Sequence, residues 1–256
     1  MDSVNVSSPE WRAETDGTSW SIANQPLWRS GVVAGLLLLL SATCFVTLDH
    51  RVAGFLRVHV PSGEAMNLFQ AIEHFGTIYG AVLILITVWI VVPTARMRVV
   101  RTISAAIAAG LLANVVKLCV SRTRPGTFDF DLSIWESFTG VFGLGAGGSR
   151  QQSFPSAHTA FAVSFAVLLG EMFPVGRNWF LCLAGLVAMQ RVLSSAHYPS
   201  DVLAGAAIGY MTARCYAGTT FVSRICEVVE ARLHREGFEG QIAASPAMLA
   251  VSSRSP

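Results

Sequence analysis

Residues 30–48 read SGVVAGLLLLLSATCFVTL and residues 75–94 read FGTIYGAVLILITVWIVVPT, and neither stretch contains a charged side chain. A helix needs about 20 apolar residues to cross the hydrocarbon of a bilayer, so both stretches read as membrane spans. The whole chain agrees with that reading. Of 256 residues 52% are hydrophobic and 13% charged, against about a quarter charged in an ordinary soluble domain. Mean hydropathy is +0.52. A net charge of +2, with basic residues dispersed along the chain, gives no electrostatic footprint for nucleic acid.

Four further apolar stretches carry charge near one end: 99–121 with Lys117, 157–174 with His158 and Glu171, 178–197 with Arg191, and 199–219 with Asp201 and Arg214. A charge inside a span is costly unless it faces protein, snorkels or is paired. The sequence therefore predicts an all-α fold, a six-transmembrane-helix bundle over residues 29–219. A polar tail (1–28) precedes it, and an amphipathic segment followed by a loose tail (220–256) comes after. In that last part Phe221, Val222, Ile225, Val228, Val229 and Leu233 recur at helical spacing. The glycine-rich stretch 126–153 reads as a loop.

Arg96, Arg98, Arg101, Arg177, Arg214, Arg224, Arg232 and Arg235 fall at one set of helix ends, which the positive-inside rule makes cytoplasmic. Both termini are then inside, in the plasma (inner) membrane. The segments 50–66 and 122–156 and the 197–199 turn lie outside. Arg51, Arg57, Arg122, Arg124 and Arg150 on the outer side run against the rule. The five cysteines show no CxxC spacing, which argues against disulfides and a zinc site.

Three polar clusters interrupt the apolar background, and the six-span arrangement puts them all at the outer face. The first runs from Lys117, the only lysine of the chain, to Arg124 and Pro125. Seven residues separate the two cations, two helical turns if the helix persists, and with Arg122 nearby they suit the oxygens of a phosphate. Taken alone, the cluster also reads as snorkelling anchors at a helix end. The second is Phe154-Pro155-Ser156-Ala157-His158, where Ser156 reads as the N-cap of an apolar helix whose free N–H groups suit an anion. The third is Arg191-Val-Leu-Ser-Ser-Ala-His197-Tyr-Pro-Ser-Asp201. Pro199 starts a helix whose first turn holds Asp201, and that carboxylate can reach back to the His197 ring, fix its tautomer and leave the other nitrogen as a nucleophile.

The spacings Lys-x6-Arg-Pro, Pro-Ser-x-His and Arg-x5-His-x3-Asp resemble the three-part signature of the type 2 phosphatidic acid phosphatase family, which shares its site with the vanadium haloperoxidases. The likeness runs from the second span to the end of the sixth. It departs from the usual pattern at Ala157, where glycine is usual, and at Gln190, where serine is usual. The resemblance implies that His197 attacks phosphorus and becomes a phosphohistidine, that Asp201 orients it, and that His158 protonates the leaving oxygen. It further implies that Lys117, Arg124, Arg191 and Ser156 hold the phosphate, without a metal or other cofactor. The substrate is then a lipid phosphate or diphosphate in the bilayer. Three other readings stand beside it: a phosphotransferase that passes the same phosphoryl group to a lipid or sugar acceptor, an anion transporter lined by the three cations, and a soluble haloperoxidase, which the apolar spans oppose. Oligomeric state is not legible. Glu73 and His74 read as interfacial or as partners of a site arginine.

Overall fold

The computed structural model describes residues 26–59, 62–141, 148–218, 220–226 and 228. The N-terminal tail to residue 25, the glycines at 143, 145 and 147, and Val229, Arg232, Leu233 and Arg235 of the expected amphipathic segment lie outside those residues. Residues 221–226 of that segment are helical.

Helix α1 (Leu27–Thr47) is followed by α2 (Asp49–Val58), α3 (Glu64–Glu73), α4 (Ile78–Val91) and α5 (Arg96–Cys119). A short antiparallel ribbon, β1 (Val120–Arg122) and β2 (Phe138–Val141), comes next, and then α6 (Ala157–Met172), α7 (Arg177–Leu193) and α8 (Pro199–Ala217). A helix thus stands at each of the six expected places, but by length and composition the described residues contain two spans. These are α1 and the segment Pro93–Cys119. A third follows if Met66–Gly76 and Ile78–Val91, bent by 69° at their junction, count as one. The 16 residues of α6 rise only about 24 Å at 1.5 Å each, short of a hydrocarbon core about 30 Å thick. Leu36, Leu39, Leu83, Ile90, Leu111 and Val115 are exposed on α1, α4 and α5, a liability in water and the expected surface against lipid. The protein is an integral membrane protein.

Helix α6 sits at the centre, packed on α5, α7 and α8, while α1 lies along α8. Phe161, Phe165, Leu168 and Leu169 of α6 meet Phe75, Leu85 and Val187 in the main apolar core. The contact of α6 with α8 is backbone to backbone. A Cβ at Gly205 would lie 2.4 Å from the Ser156 carbonyl oxygen, and one at Gly209 would lie 2.3 Å from that of Ala160. This spacing of small residues brings helices close in membrane proteins. Gly209→Ala, which lies one turn deeper than the site, is expected to destabilise by about 1–3 kcal/mol through overpacking, read as a lower melting temperature in detergent.

Helices α1 and α8 run antiparallel. The Ser30 hydroxyl at the start of α1 accepts from buried Arg214 Nε at the end of α8 (2.7 Å), and the Ser41 hydroxyl donates to the Ser200 carbonyl (2.8 Å). The ends of α3, α5 and α7 and the starts of α6 and α8 consequently meet at one end of the bundle, where the polar clusters lie.

Candidate active site

Helix α5 stops at Cys119 rather than continuing to Pro125, because Val120 turns extended (φ −126°, ψ 111°) and pairs with Val141 of β2. Lys117 and Arg124 therefore do not share the continuous helix face that their spacing alone suggests. Lys117 is buried on the last turn of α5, and Arg124 follows the strand. Backbone hydrogen bonds join the three clusters. Ser153 N–H donates to the Arg122 carbonyl (3.0 Å), Gly126 N–H to that of Ser195 (3.0 Å), and Ser156 N–H to that of Asp201 (3.0 Å). Ser195 holds φ 54°, a left-handed turn that ends α7 and lets the Ala196 and His197 N–H groups return to the Arg191 carbonyl.

That turn presents His197, which is 2% exposed. Its Nδ1 lies 2.7 Å from the Ser153 carbonyl oxygen, whereas Asp201 Oδ2 stands 3.7 Å away, outside hydrogen-bonding range. The Nδ1–H bond that fixes the tautomer goes to a backbone carbonyl, and Nε2 keeps its lone pair. The Asp201 carboxylate is fully buried. It accepts from the Ser153 hydroxyl (2.6 Å), from Tyr198 N–H (2.9 Å) and from Arg122. Burial holds the His197 imidazole below its ordinary value, with Asp201 opposing. The acid limb of kcat/KM, which reports the free enzyme, is thus expected below the usual imidazole value of about 6.5, measured as a pH–rate profile in detergent. A limb at or above that value contradicts this.

Lys117 and Arg124 lie within electrostatic reach of both His158 and His197, and Arg191 lies within reach of His158, Lys117 and Arg124. The Nε of Arg124 is buried without a hydrogen-bond partner among the described residues, a donor suited to an oxyanion. Arg191 is oriented from three sides: Nε donates to Gln190 Oε1 (2.7 Å), Nη1 pairs with Glu73 (2.8 Å), and Nη2 reaches the Ser194 hydroxyl (3.4 Å). A guanidinium carries five N–H groups, so two stay available. Gln190, the departure from the usual motif, keeps Arg191 in place as an acceptor. Ala157, the other departure, packs beside Ala109, Ala113 and Ala160.

Ser156 caps α6. Its hydroxyl accepts from Thr159 N–H (3.4 Å) and Thr159 Oγ1 (3.0 Å), which leaves the first-turn N–H groups of Ala157 and His158 without an intrahelical acceptor. Helix N-termini of this kind favour anions. Glu73, at the end of α3, also stands 3.6 Å from His158 Nε2. Of the two places open to Glu73 from its position near a span end, the interface or the side of a site arginine, it occupies the second, against Arg191.

Arg122 pairs apart from Lys117, Arg124 and Arg191. It is wholly buried and paired with Asp49 (2.7 Å) and Asp201, with its guanidinium 4.0 Å from the Tyr198 ring centroid. Asp49 and Ser200, which complete this cluster, carry no motif. Burial raises the Asp49 carboxyl above its ordinary value, and Arg122 and the Ser200 bonds offset only part of that rise.

Residues 98–224 match the sequence model of the PAP2 superfamily, and all three clusters fall within that match. The chain belongs to the PAP2 superfamily. The chain is 38% identical over 102 residues to the lipid A 1-phosphatase of Rhizobium johnstonii, covering 40% of this chain and 39% of the relative. It is 28% identical over 141 residues to the decaprenylphosphoryl-5-phosphoribose phosphatase of Mycobacterium tuberculosis, covering 55% of this chain and 72% of the relative. The chain thus spans about two-fifths of the length of the Rhizobium protein. Its fold is similar to the crystal structure of the first transmembrane PAP2 type phosphatidylglycerolphosphate phosphatase from Bacillus subtilis. The TM-score is 0.50 at 18% identity, covering 72% of this chain and 92% of that one.

Proposed function

We propose that this PAP2 protein is a membrane lipid phosphatase that hydrolyses a phosphate monoester or diphosphate of a lipid through a phosphohistidine at His197. One observation carries the proposal: a buried imidazole whose Nδ1 is committed to the Ser153 carbonyl (2.7 Å), which leaves the lone pair on Nε2, and which lies within electrostatic reach of Lys117 and Arg124. Nε2 forms the N–P bond as the P–O bond to the lipid breaks, and His158 gives its proton to the departing oxygen. Water then attacks the phosphohistidine and loses a proton to His158, which releases inorganic phosphate and restores His197. The three cations, with Ser156 and the first-turn N–H groups of α6, neutralise charge on the equatorial oxygens, where most acceleration of phosphoryl transfer arises. In this arrangement Asp201 faces the His197 ring at 3.7 Å and favours the cation that forms on it.

The names of the Rhizobium and Mycobacterium relatives, a lipid A 1-phosphatase and a decaprenylphosphoryl-5-phosphoribose phosphatase, support a lipid substrate. The bilayer is its reservoir, and neither nucleic acid nor a cofactor has a part. Six crossings are proposed over residues 29–219: α1, the bent α3–α4 pair, α5, α6, α7 and α8. Both termini are then cytoplasmic and the site opens at the outer face of the inner membrane, supported by the arginines at the opposite ends of the helices. Phosphate release from a panel of lipid monophosphates and diphosphates, by purified protein with EDTA present, tests the reading. Release that persists in EDTA is the expected result. Turnover that appears only with an added lipid or sugar acceptor would replace it with a phosphotransferase.

A further inference from the structure

The Arg122–Asp201 contact raises a difficulty for a nucleophilic His197. A buried guanidinium bonded to Asp201 would cancel the negative charge that faces the imidazole and leave little to stabilise the cation that forms as Nε2 attacks. A second carboxylate offsets it. Asp49, fully buried at the start of α2, accepts from Arg122 Nη2 (2.7 Å) through Oδ2, from Ser200 N–H (3.0 Å) through Oδ1, and from the Ser200 hydroxyl. The Ser200 hydroxyl accepts in turn from Arg122 Nη1 (2.7 Å), and Arg122 Nε donates to the Ser137 hydroxyl (3.2 Å). The rings of Tyr198, Phe138 and Phe45 lie 4.0, 4.8 and 5.2 Å from the guanidinium carbon. The cluster thus holds two carboxylates and one guanidinium, a net charge of minus one with both carboxylates ionised, and its atom nearest His197 is Asp201 Oδ2, which stands 3.7 Å from Nδ1 and also accepts from the Ser153 hydroxyl and Tyr198 N–H. The other charged or titratable groups that face His197 are Lys117 from α5, Arg124 after β1 and His158 from α6; beyond His158 stand Arg191 of α7 and Glu73 of α3, paired with each other at 2.8 Å, with Glu73 3.6 Å from His158 Nε2.

We propose that Asp49, which lies outside the segment matched to the PAP2 superfamily, is a positioning residue for the nucleophile. By sharing Arg122 it leaves Asp201 with the net negative charge that supports positive charge on His197. The proposal rests on His197 being the nucleophile.

Charge-balanced variants test it. In detergent-purified protein with ¹⁵N-labelled histidine, the His197 imidazole is titrated by NMR without substrate, and kcat and KM are measured alongside. Asp49→Asn brings the cluster to zero and is expected to lower the His197 pKa by about one unit, as removal of a nearby opposite charge does. It is also expected to lower kcat about tenfold, the same factor expressed in rate, with KM held within about twofold. Asp49→Asn with Arg122→Gln restores minus one, and the titration is expected to return toward that of the unaltered protein. The double variant also tests the idea if Asp49→Asn alone does not fold, since a charge-balance role requires its titration to match the original. An unchanged titration in Asp49→Asn, or a double variant displaced as far as the single one, overturns the proposal. A displaced titration with unchanged kcat overturns the assignment of His197 as nucleophile instead.

Discussion

His197→Ala is expected to lose phosphate release by at least about 10³-fold, because loss of an attacking group removes the covalent route altogether and leaves only binding and electrostatic stabilisation. Lys117, Arg124 and Arg191 remain in place in that variant, so affinity for a lipid phosphate should persist. The Ser153 carbonyl loses its partner, but the Ser153 hydroxyl still bonds Asp201 (2.6 Å) and Ser153 N–H still bonds the Arg122 carbonyl (3.0 Å), which holds the wall of the site. Phosphate release, measured beside a melting curve in detergent, separates loss of chemistry from loss of fold. An anion pathway that used only the cations would keep its function in this variant.

Arg124→Ala is expected to lower kcat/KM about 10²- to 10³-fold, the range for one lost donor to transition-state charge. Two observations give it this weight. Its Nε is buried without a partner among the described residues, whereas Arg191 is already committed to Gln190, Glu73 and Ser194. Its backbone is fixed by Arg124 N–H to the Arg150 carbonyl (2.9 Å) and by the bond from Thr127 N–H to its own carbonyl (3.0 Å), so the side chain starts from a set place. Arg124→Lys should recover only part of the loss, since an ammonium restores the charge without the planar fork. Steady-state kinetics on one lipid phosphate compare the three proteins, and full recovery by lysine would reduce the role of Arg124 to that of a point charge.

The helices and the three polar clusters were legible because both depend on side-chain pattern. Uncharged runs mark apolar helices, and Pro125, Ser156 and Pro199 mark where the chain turns. What escaped the sequence depends on backbone or on long-range pairing. The Ser153 carbonyl that fixes His197 has no side-chain signature, and it takes the Nδ1–H bond that the sequence directs to Asp201. Asp49 looks like a polar residue at the end of an apolar helix, and only the antiparallel packing of α1 on α8 brings it to Ser200 and Arg122. Arg122 sits two residues from Arg124 and reads as a third phosphate-binding cation, yet the strand at 120–122 and its two carboxylates bury it. Glu73 stood open between interface and site, and its bond to Arg191 Nη1 draws it into the site. The count of spans was less legible than the helices themselves. Protein packing around α6 replaces lipid, so its length and apolar character no longer report a crossing.

The most direct test of the phosphohistidine is to trap it. The purified protein is turned over with a lipid phosphate labelled at phosphorus and quenched in base, where a phosphohistidine survives and a carboxyl phosphate does not, and the labelled peptide is then identified. The expected result is acid-labile label on His197, absent from His197→Ala. Label on another residue, or undiminished turnover by His197→Ala, would contradict it.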